Sequence, residues 1–234
     1  MNRDDAVLKN KVKAVIFDLD GTLVDSEPNY SKADNVLLAE YGIEELSAEM
    51  KQKYVGIGTW EMMEDLKQIY NIPESMEVLV AKKNAYYLEI ARDNTVVFPE
   101  MYKFLRFLKE GQYPLALASG SSPQIIDRIL AITNLAMYFD VVLSAEEVAK
   151  GKPEPDVFWE AARQLGVPFE NCLVIEDSQH GVEAAKSASM YCMALPYTGE
   201  EAFHESFLMA DVLFKQGITG FKAEEAIAWV QRNS

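Results

Sequence analysis

Asp18 and Asp20 lie two apart in the run Phe17-Asp18-Leu19-Asp20-Gly21-Thr22, and the alternation of an extended strand would place both carboxylates on one side. Two acids so close repel each other unless a cation lies near them. Gly21 permits a tight turn that brings backbone up to a ligand, and Thr22 offers a hydroxyl to a carboxylate or a phosphate. Taken alone, Asp-x-Asp-Gly also occurs in calcium loops and ordinary turns. A second acidic pair, Glu176-Asp177, again follows an apolar run. Four converging carboxylates with no His or Cys among them would suit a hard cation held through oxygen, Mg²⁺ rather than zinc. The alternative is a solvated acidic sheet edge, with Asp177-Ser178 capping a helix.

Two further clusters could meet an anion. Ser119-Gly120-Ser121-Ser122-Pro123 follows an apolar run and opens a helix, and the free N–H groups of such a turn form a cradle for negative charge. A capping box or a plain serine-rich turn is the other reading. In Gly151-Lys152-Pro153-Glu154-Pro155-Asp156 a lysine sits in a stiff, proline-bounded loop before a helix, which suits a point charge aimed at a bound phosphate. A solvated lysine is the alternative.

The elements that must position these residues are short buried strands. Val12 to Phe17 stops at Asp18, Tyr113 to Ala118 at Ser119, Asp140 to Leu143 at Ser144, Cys172 to Ile175 at Glu176, and Met190 to Leu195 at Pro196. Between them lie helical patterns over 99–110, 123–132, 155–165 and 182–187. Strand and helix in alternation predict an α/β fold: a doubly wound, Rossmann-like parallel sheet with helices on both faces and ligands outside the carboxyl ends of the strands. Every polar cluster falls at those ends. Residues 24–94 break the rhythm with three or four helical patterns and no convincing strand. They are expected to form an inserted helical cap domain, with 1–23 and 95–234 as the core, and such an insertion could close over the strand ends as a lid.

The 234 residues are 49% hydrophobic, enough for a full core without disulfides. With 22 Lys and Arg against 37 Asp and Glu, the net charge of −15 repels nucleic acid and anionic lipid, so neither a nucleic-acid nor a membrane partner is expected. An anionic substrate would need local neutralisation, which favours a metal. Cys172 and Cys192 lie in apolar stretches without zinc spacing and read as reduced core residues. Residues 1–13 lack the apolar centre of a signal peptide, and a cytoplasmic protein is expected. His180 reads as structural or solvated, and His204 carries no signal.

In this order and at these strand ends, Asp18-Leu19-Asp20-Gly21-Thr22, Ser119, Lys152 and Glu176-Asp177 resemble the motifs of the haloacid dehalogenase superfamily across nearly the whole chain. Val24-Asp25-Ser26-Glu27-Pro28, Leu117-Ala118-Ser119, Lys152-Pro153-Glu154-Pro155-Asp156 and Glu176-Asp177-Ser178 resemble its β-phosphoglucomutase-like branch, which inserts a helical cap after the first motif. The resemblance implies that Asp18 attacks phosphorus to give an aspartyl-phosphate. Asp20 would act as general acid and then base. Mg²⁺ would be bound by Asp18, the Asp20 carbonyl and Asp177, with Glu176 nearby. Thr22, Ser119, Gly120 and Lys152 would hold the phosphate, and Lys152 would also restrain the nucleophile.

The cap is expected to decide the acceptor. Tyr30 stands where mutases of this branch carry His, and Thr59 where they carry Arg, and both departures favour transfer to water. Lys83 aligns with a cap lysine that contacts a second phosphate in those mutases, which keeps a phosphomutase open. The expectation is a Mg²⁺-dependent phosphatase of a small phosphorylated metabolite, a sugar or polyol phosphate, acting as a monomer, with Thr59 and Lys83 touching substrate. A phospho-receiver module uses similar parts but puts its Lys last, whereas Lys152 precedes Glu176-Asp177. Ser189 stands where relatives commonly have Gly, at an expected left-handed helix end.

Overall fold

The computed structural model describes residues 11–54, 59–197 and 204–234. In chain order the elements are β1 Ala14–Phe17, β2 Val24–Asp25, α1 Glu27–Ala39, α2 Ala48–Lys53, α3 Thr59–Tyr70, α4 Met76–Asn94, β3 Val96–Val97, α5 Pro99–Glu110, β4 Leu115–Ser119, α6 Pro123–Thr133, β5 Val141–Ser144, α7 Asp156–Leu165, β6 Cys172–Glu176, α8 Gln179–Ser187, β7 Tyr191–Ala194, β8 Val212–Leu213, α9 Gly217–Gly220 and α10 Ala223–Asn233. Six strands form one sheet in the order β5-β4-β1-β6-β7-β8, every pair parallel.

The period-two alternation of each strand divides the core between the two faces of the sheet. Val15, Phe17, Leu115, Leu117, Leu173 and Ile175 join the apolar stripes of α5, α6 and α10. Ala14, Ile16, Ala116, Ala118, Cys172 and Val174 turn the other way, onto α7 and α8. Alanines dominate that second face, so its helices can approach closely. Both cysteines are buried there as free thiols, as expected, and burial pushes the Cys172 thiol up to about 12.

The order of the strands makes the site. After β1 the chain steps to β4 and β5 on one side, then returns through α7 to β6 on the other. The connections therefore diverge on either side of β1, and a crevice opens outside its carboxyl end. Asp18 follows β1, Ser119 ends β4 and Glu176 ends β6. Residues hundreds of ångströms apart in an extended chain thus meet at one sheet edge.

Two expectations need correction. The sheet has a sixth strand, β8, which the sequence reading did not include. Val24–Asp25 also forms a strand, within the residues 24–94 expected to hold no strand. It pairs antiparallel with β3, Val24 opposite Val97 and Asp25 opposite Val96. Both strands are two residues long, too short to show a period, and exist because a partner supplies their hydrogen bonds.

Between the strands of that ribbon lie α1 to α4, which bury their own apolar group of Leu37, Leu38, Leu46, Met62, Met63, Leu66 and Leu79. Ala33, Tyr87 and Ala91 join the sheet's core instead, so the insertion packs down onto it. Among the described residues no helix is long and apolar enough to cross a membrane. Ser189 has φ 60°, the left-handed conformation expected of it.

Candidate functional site

At the mouth of the crevice, Lys152 gathers the acids. Its Nζ donates to Asp18 Oδ1 at 2.7 Å, to Glu176 Oε1 at 2.5 Å and to the Ala118 carbonyl at 3.1 Å, and it lies 5.2 Å from the Phe158 ring centroid. Asp18 is nearly buried and Glu176 wholly so. The other oxygen of Glu176 accepts from the backbone N–H of Asp177 and Ser178 and from the Ser178 hydroxyl, at 3.0 to 3.1 Å. Ser178 Oγ in turn accepts from Gly181 N at 3.0 Å, capping α8. Glu176 is therefore the floor on which both Lys152 and the start of α8 rest.

This floor admits no extra atom. A Cβ added at Gly181 would stand 1.9 Å from the Glu176 carboxyl. Gly181→Ala is expected to destabilise the fold by about 1–3 kcal/mol, read as a lowered Tm; an unchanged Tm would show that Glu176 can swing aside without loss. Gly21 is confined for a second reason, having φ 76° and a would-be Cβ 2.1 Å from Asp177 Oδ2. At Gly120, by contrast, a Cβ would meet nothing within 4 Å, which leaves open space beside the Ser119 loop.

Asp20 is held differently. Its Oδ2 accepts from Ser121 Oγ at 2.7 Å and from Ser119 Oγ at 3.4 Å, while its buried Oδ1 has no partner. Ser121 also meets the Tyr30 hydroxyl at 2.8 Å, and Tyr30 stacks on Tyr87 with ring centroids 3.9 Å apart. A polar chain thus runs from Asp20 into the helical insertion. Thr22 Oγ1 donates to Asp177 Oδ1 at 3.2 Å, so its hydroxyl is spent on a carboxylate.

The electrostatics leave a surplus of negative charge. Burial pushes the Asp18 carboxyl up to about 8, with the Lys152 charge opposing and Glu176 and Asp20 reinforcing. Burial, then repulsion from Asp18 and Glu176, lifts Asp177 well above the usual carboxylate range. Burial also raises Asp20, against the hydrogen bond from Ser121. For Lys152 burial disfavours the charge, but Asp18 and Glu176 outweigh it and hold its pKa above the ordinary value. One lysine cannot balance this set. Oxygens of Asp18, Glu176 and Asp177 lie within 4.8 Å of one another, a donor set of carboxylates alone that could hold a divalent cation.

Of the residues expected at the site, Asp18, Asp20, Thr22, Ser119, Gly120, Lys152, Glu176 and Asp177 come together. Lys83 does not present a free ammonium: it is 3% exposed and lies 2.8 Å from Asp34 Oδ1, with Met62 Sδ at 3.3 Å. Its charge is compensated within the insertion, because Asp34 sits opposite on α1. Thr59 opens α3 half-buried, and residues 55–58 of its loop lie outside the described residues. His180 sits on the first turn of α8, 3.7 Å from Glu183 Oε2. Ser121 and Asp34 were missed. The spacing Ser119-x-Ser121 was a signal for the first, whereas nothing in the sequence ties Asp34 to a lysine 49 positions away.

The model of the haloacid dehalogenase-like hydrolase family matches residues 12–189. A probable pseudouridine-5'-phosphatase of Drosophila melanogaster is 32% identical over 211 residues, covering 86% of this chain and 90% of that protein. Hexitol phosphatase B of Escherichia coli is 30% identical over 205 residues, covering 86% and 91%. A putative β-phosphoglucomutase structure from Thermotoga maritima superposes with a TM-score of 0.74 at 27% identity, covering 94% and 99%.

Proposed function

The chain belongs to the haloacid dehalogenase-like hydrolases, and on that premise we propose that it is a Mg²⁺-dependent phosphatase of a sugar or polyol phosphate, working through an aspartyl-phosphate. The relatives support the coarser statement, a phosphoric monoester hydrolase acting on small phosphorylated metabolites. The finer one is carried by the contrast between two carboxyl groups. Asp18 is tied through one oxygen to Lys152, and Asp20 through one oxygen to serines with the other bare.

That contrast divides the work. Asp18, oriented by Lys152, attacks phosphorus with its other oxygen, and the ester P–O bond breaks as the Asp–O–P bond forms. Asp20, whose raised pKa favours the protonated form, gives the proton on Oδ1 to the departing alkoxide. The same oxygen then takes a proton from water as the water oxygen attacks phosphorus, releasing inorganic phosphate and restoring Asp18. Ser119, Gly120 and Lys152 hold the phosphoryl oxygens, and Thr22 keeps Asp177 in place. Asp18, Asp177 and the Asp20 carbonyl would hold Mg²⁺, which when bound offsets the charge on the transferring group. Residues 24–94 serve as the cap that excludes bulk water. Hydrolysis is favoured over phosphoryl transfer to a sugar by Tyr30 and Thr59, and by the engagement of Lys83 with Asp34.

The test is a panel of sugar and polyol monophosphates with Mg²⁺, measuring inorganic phosphate and isomerised sugar phosphate in parallel. Phosphate release is expected. Isomerisation of β-glucose 1-phosphate without it would convert the reading to a mutase.

The cation has a signature in stability as well. The folded pKa of Asp18, about 8, lies above its unfolded value of 3.8. Between those values the folded state holds the proton more tightly, so chelated protein is expected to lose stability as pH rises through that window. Mg²⁺ should therefore raise Tm more at pH 8 than at pH 5. Thermal melts in EDTA and in Mg²⁺ measure this, and an equal shift at both values would separate the cation from Asp18.

A further inference from the structure

Ser121 is fixed through its backbone as well as its side chain. It lies between β4 and α6, where its N–H donates to Ser119 Oγ at 3.0 Å. Its carbonyl accepts at 2.7 Å from the hydroxyl of Ser144, which is wholly buried at the end of β5. With the loop tied to both neighbouring strands, the Ser121 hydroxyl bridges Asp20 Oδ2 at 2.7 Å and the Tyr30 hydroxyl at 2.8 Å. Tyr30 is held in turn, its ring stacked on the wholly buried Tyr87 of α4 with centroids 3.9 Å apart. Neither hydroxyl takes part in the chemistry proposed above.

Counting protons gives this chain a direction. A hydroxyl has one proton to donate and two lone pairs to accept with. Ser121 gives its proton to Asp20 Oδ2, so in the contact with Tyr30 the phenol is the donor, and the chain runs from Tyr30 through Ser121 to Asp20. Burial pushes the Tyr30 phenol well above its ordinary value, so the proton that starts the chain stays in place. Ser119 Oγ donates to the same carboxyl oxygen at 3.4 Å. Oδ2 therefore faces two donors and Oδ1 none. A carboxyl group so placed carries its transferable proton on Oδ1. Without the chain it could turn about its Cβ–Cγ bond and exchange the two oxygens, since that torsion is broad and nearly two-fold.

Resting on the phosphatase reading above, we propose that Ser121 and Tyr30 are positioning residues for the general acid: together they pin Asp20 by Oδ2 and leave Oδ1 turned to the departing alcohol oxygen. As the ester P–O bond breaks, the proton on Oδ1 passes to the alkoxide, and the chain behind Oδ2 neither gains nor loses one. Ser121 is no ligand of the phosphoryl group, because its one proton is committed to Asp20. Tyr30 belongs to α1 and Ser121 to the core, so the acid is oriented by the contact between the insertion and the sheet.

The leaving group separates acid positioning from phosphate binding. A sugar or polyol alkoxide needs a proton to depart and p-nitrophenolate does not, while both esters present the same phosphoryl group. The experiment measures kcat/KM with Mg²⁺ for p-nitrophenyl phosphate and for whichever sugar or polyol monophosphate of the panel above the wild type hydrolyses fastest. It uses the wild type, Ser121→Ala, Tyr30→Phe and the double variant, each with a thermal melt. In Ser121→Ala the ratio of alkyl to aryl kcat/KM should fall by about tenfold, and in Tyr30→Phe, which keeps the stacked ring, by about threefold. The double variant should fall no further than Ser121→Ala, because both residues act through one chain. Equal losses for the two esters would make Ser121 a phosphate ligand or a packing residue and overturn the proposal. So would a ratio unchanged in folded protein, or single losses that multiply in the double variant. Tyr30→Phe decides alone where Ser121→Ala does not fold. A wild type that releases phosphate from no sugar or polyol ester overturns the phosphatase reading instead.

Discussion

Asp18→Asn is expected to lower phosphate release by about 10⁴-fold or more while leaving the protein folded. The amide cannot attack phosphorus, and no other carboxylate can replace it: Glu176 is wholly buried beneath Lys152, and Asp20 is turned toward Ser121. The fold survives because the substitution removes one of the crowded negative charges, relieving Asp177 of a neighbour that raises its cost of ionisation. Steady-state phosphate release at saturating substrate, with a thermal melt beside it, measures both halves. A near-normal rate in folded protein would remove Asp18 from the role of nucleophile.

Lys152→Met should strike stability and activity together. It leaves Asp18 and Glu176 buried without the cation that now lies 2.7 and 2.5 Å from them, and removing one partner of a buried pair costs about 3–5 kcal/mol. In a chain of this size that corresponds to a fall in Tm of roughly 10 °C. Mg²⁺ should restore part of the Tm by supplying positive charge at the same carboxylates, but not the rate, because under the proposed mechanism the phosphoryl oxygens lose their lysine. If EDTA-treated wild type and Lys152→Met melt at the same temperature, the lysine does not hold the acids as its distances indicate.

These two residues also show what a sequence reveals. The strands were legible because each is an apolar run that stops abruptly at a polar cluster, and the stop is where the sheet ends and the crevice begins. Asp18, Ser119, Lys152 and Glu176 could therefore be placed at one site without coordinates, since the topology of a doubly wound sheet leaves little choice. Strands β2 and β8 were not legible, being two residues long and fixed by their partners. Within the insertion the sequence supplied helices but not the angles between them. Whether Lys83 faced a ligand or a carboxylate depended on α1 lying against α4, a matter of packing that no local pattern carries. Ser121 was legible in hindsight, because the turn that presents Ser119 must place its second neighbour nearby.

The β2–β3 ribbon has a consequence for how the protein can change over time. Asp25 and Val96 are hydrogen-bonded neighbours although some seventy residues separate them in sequence. To the sheet, everything between is a loop whose ends are already joined, and lengthening such a loop adds closure entropy only logarithmically. Helices inside it can be gained, lost or exchanged with little disturbance to the strands that carry Asp18 and Glu176. The constraint is the contact through Tyr30 and Ser121, which any replacement would have to rebuild to hold Asp20. The strand ends that carry the candidate site and the insertion packed over them can therefore evolve at different rates.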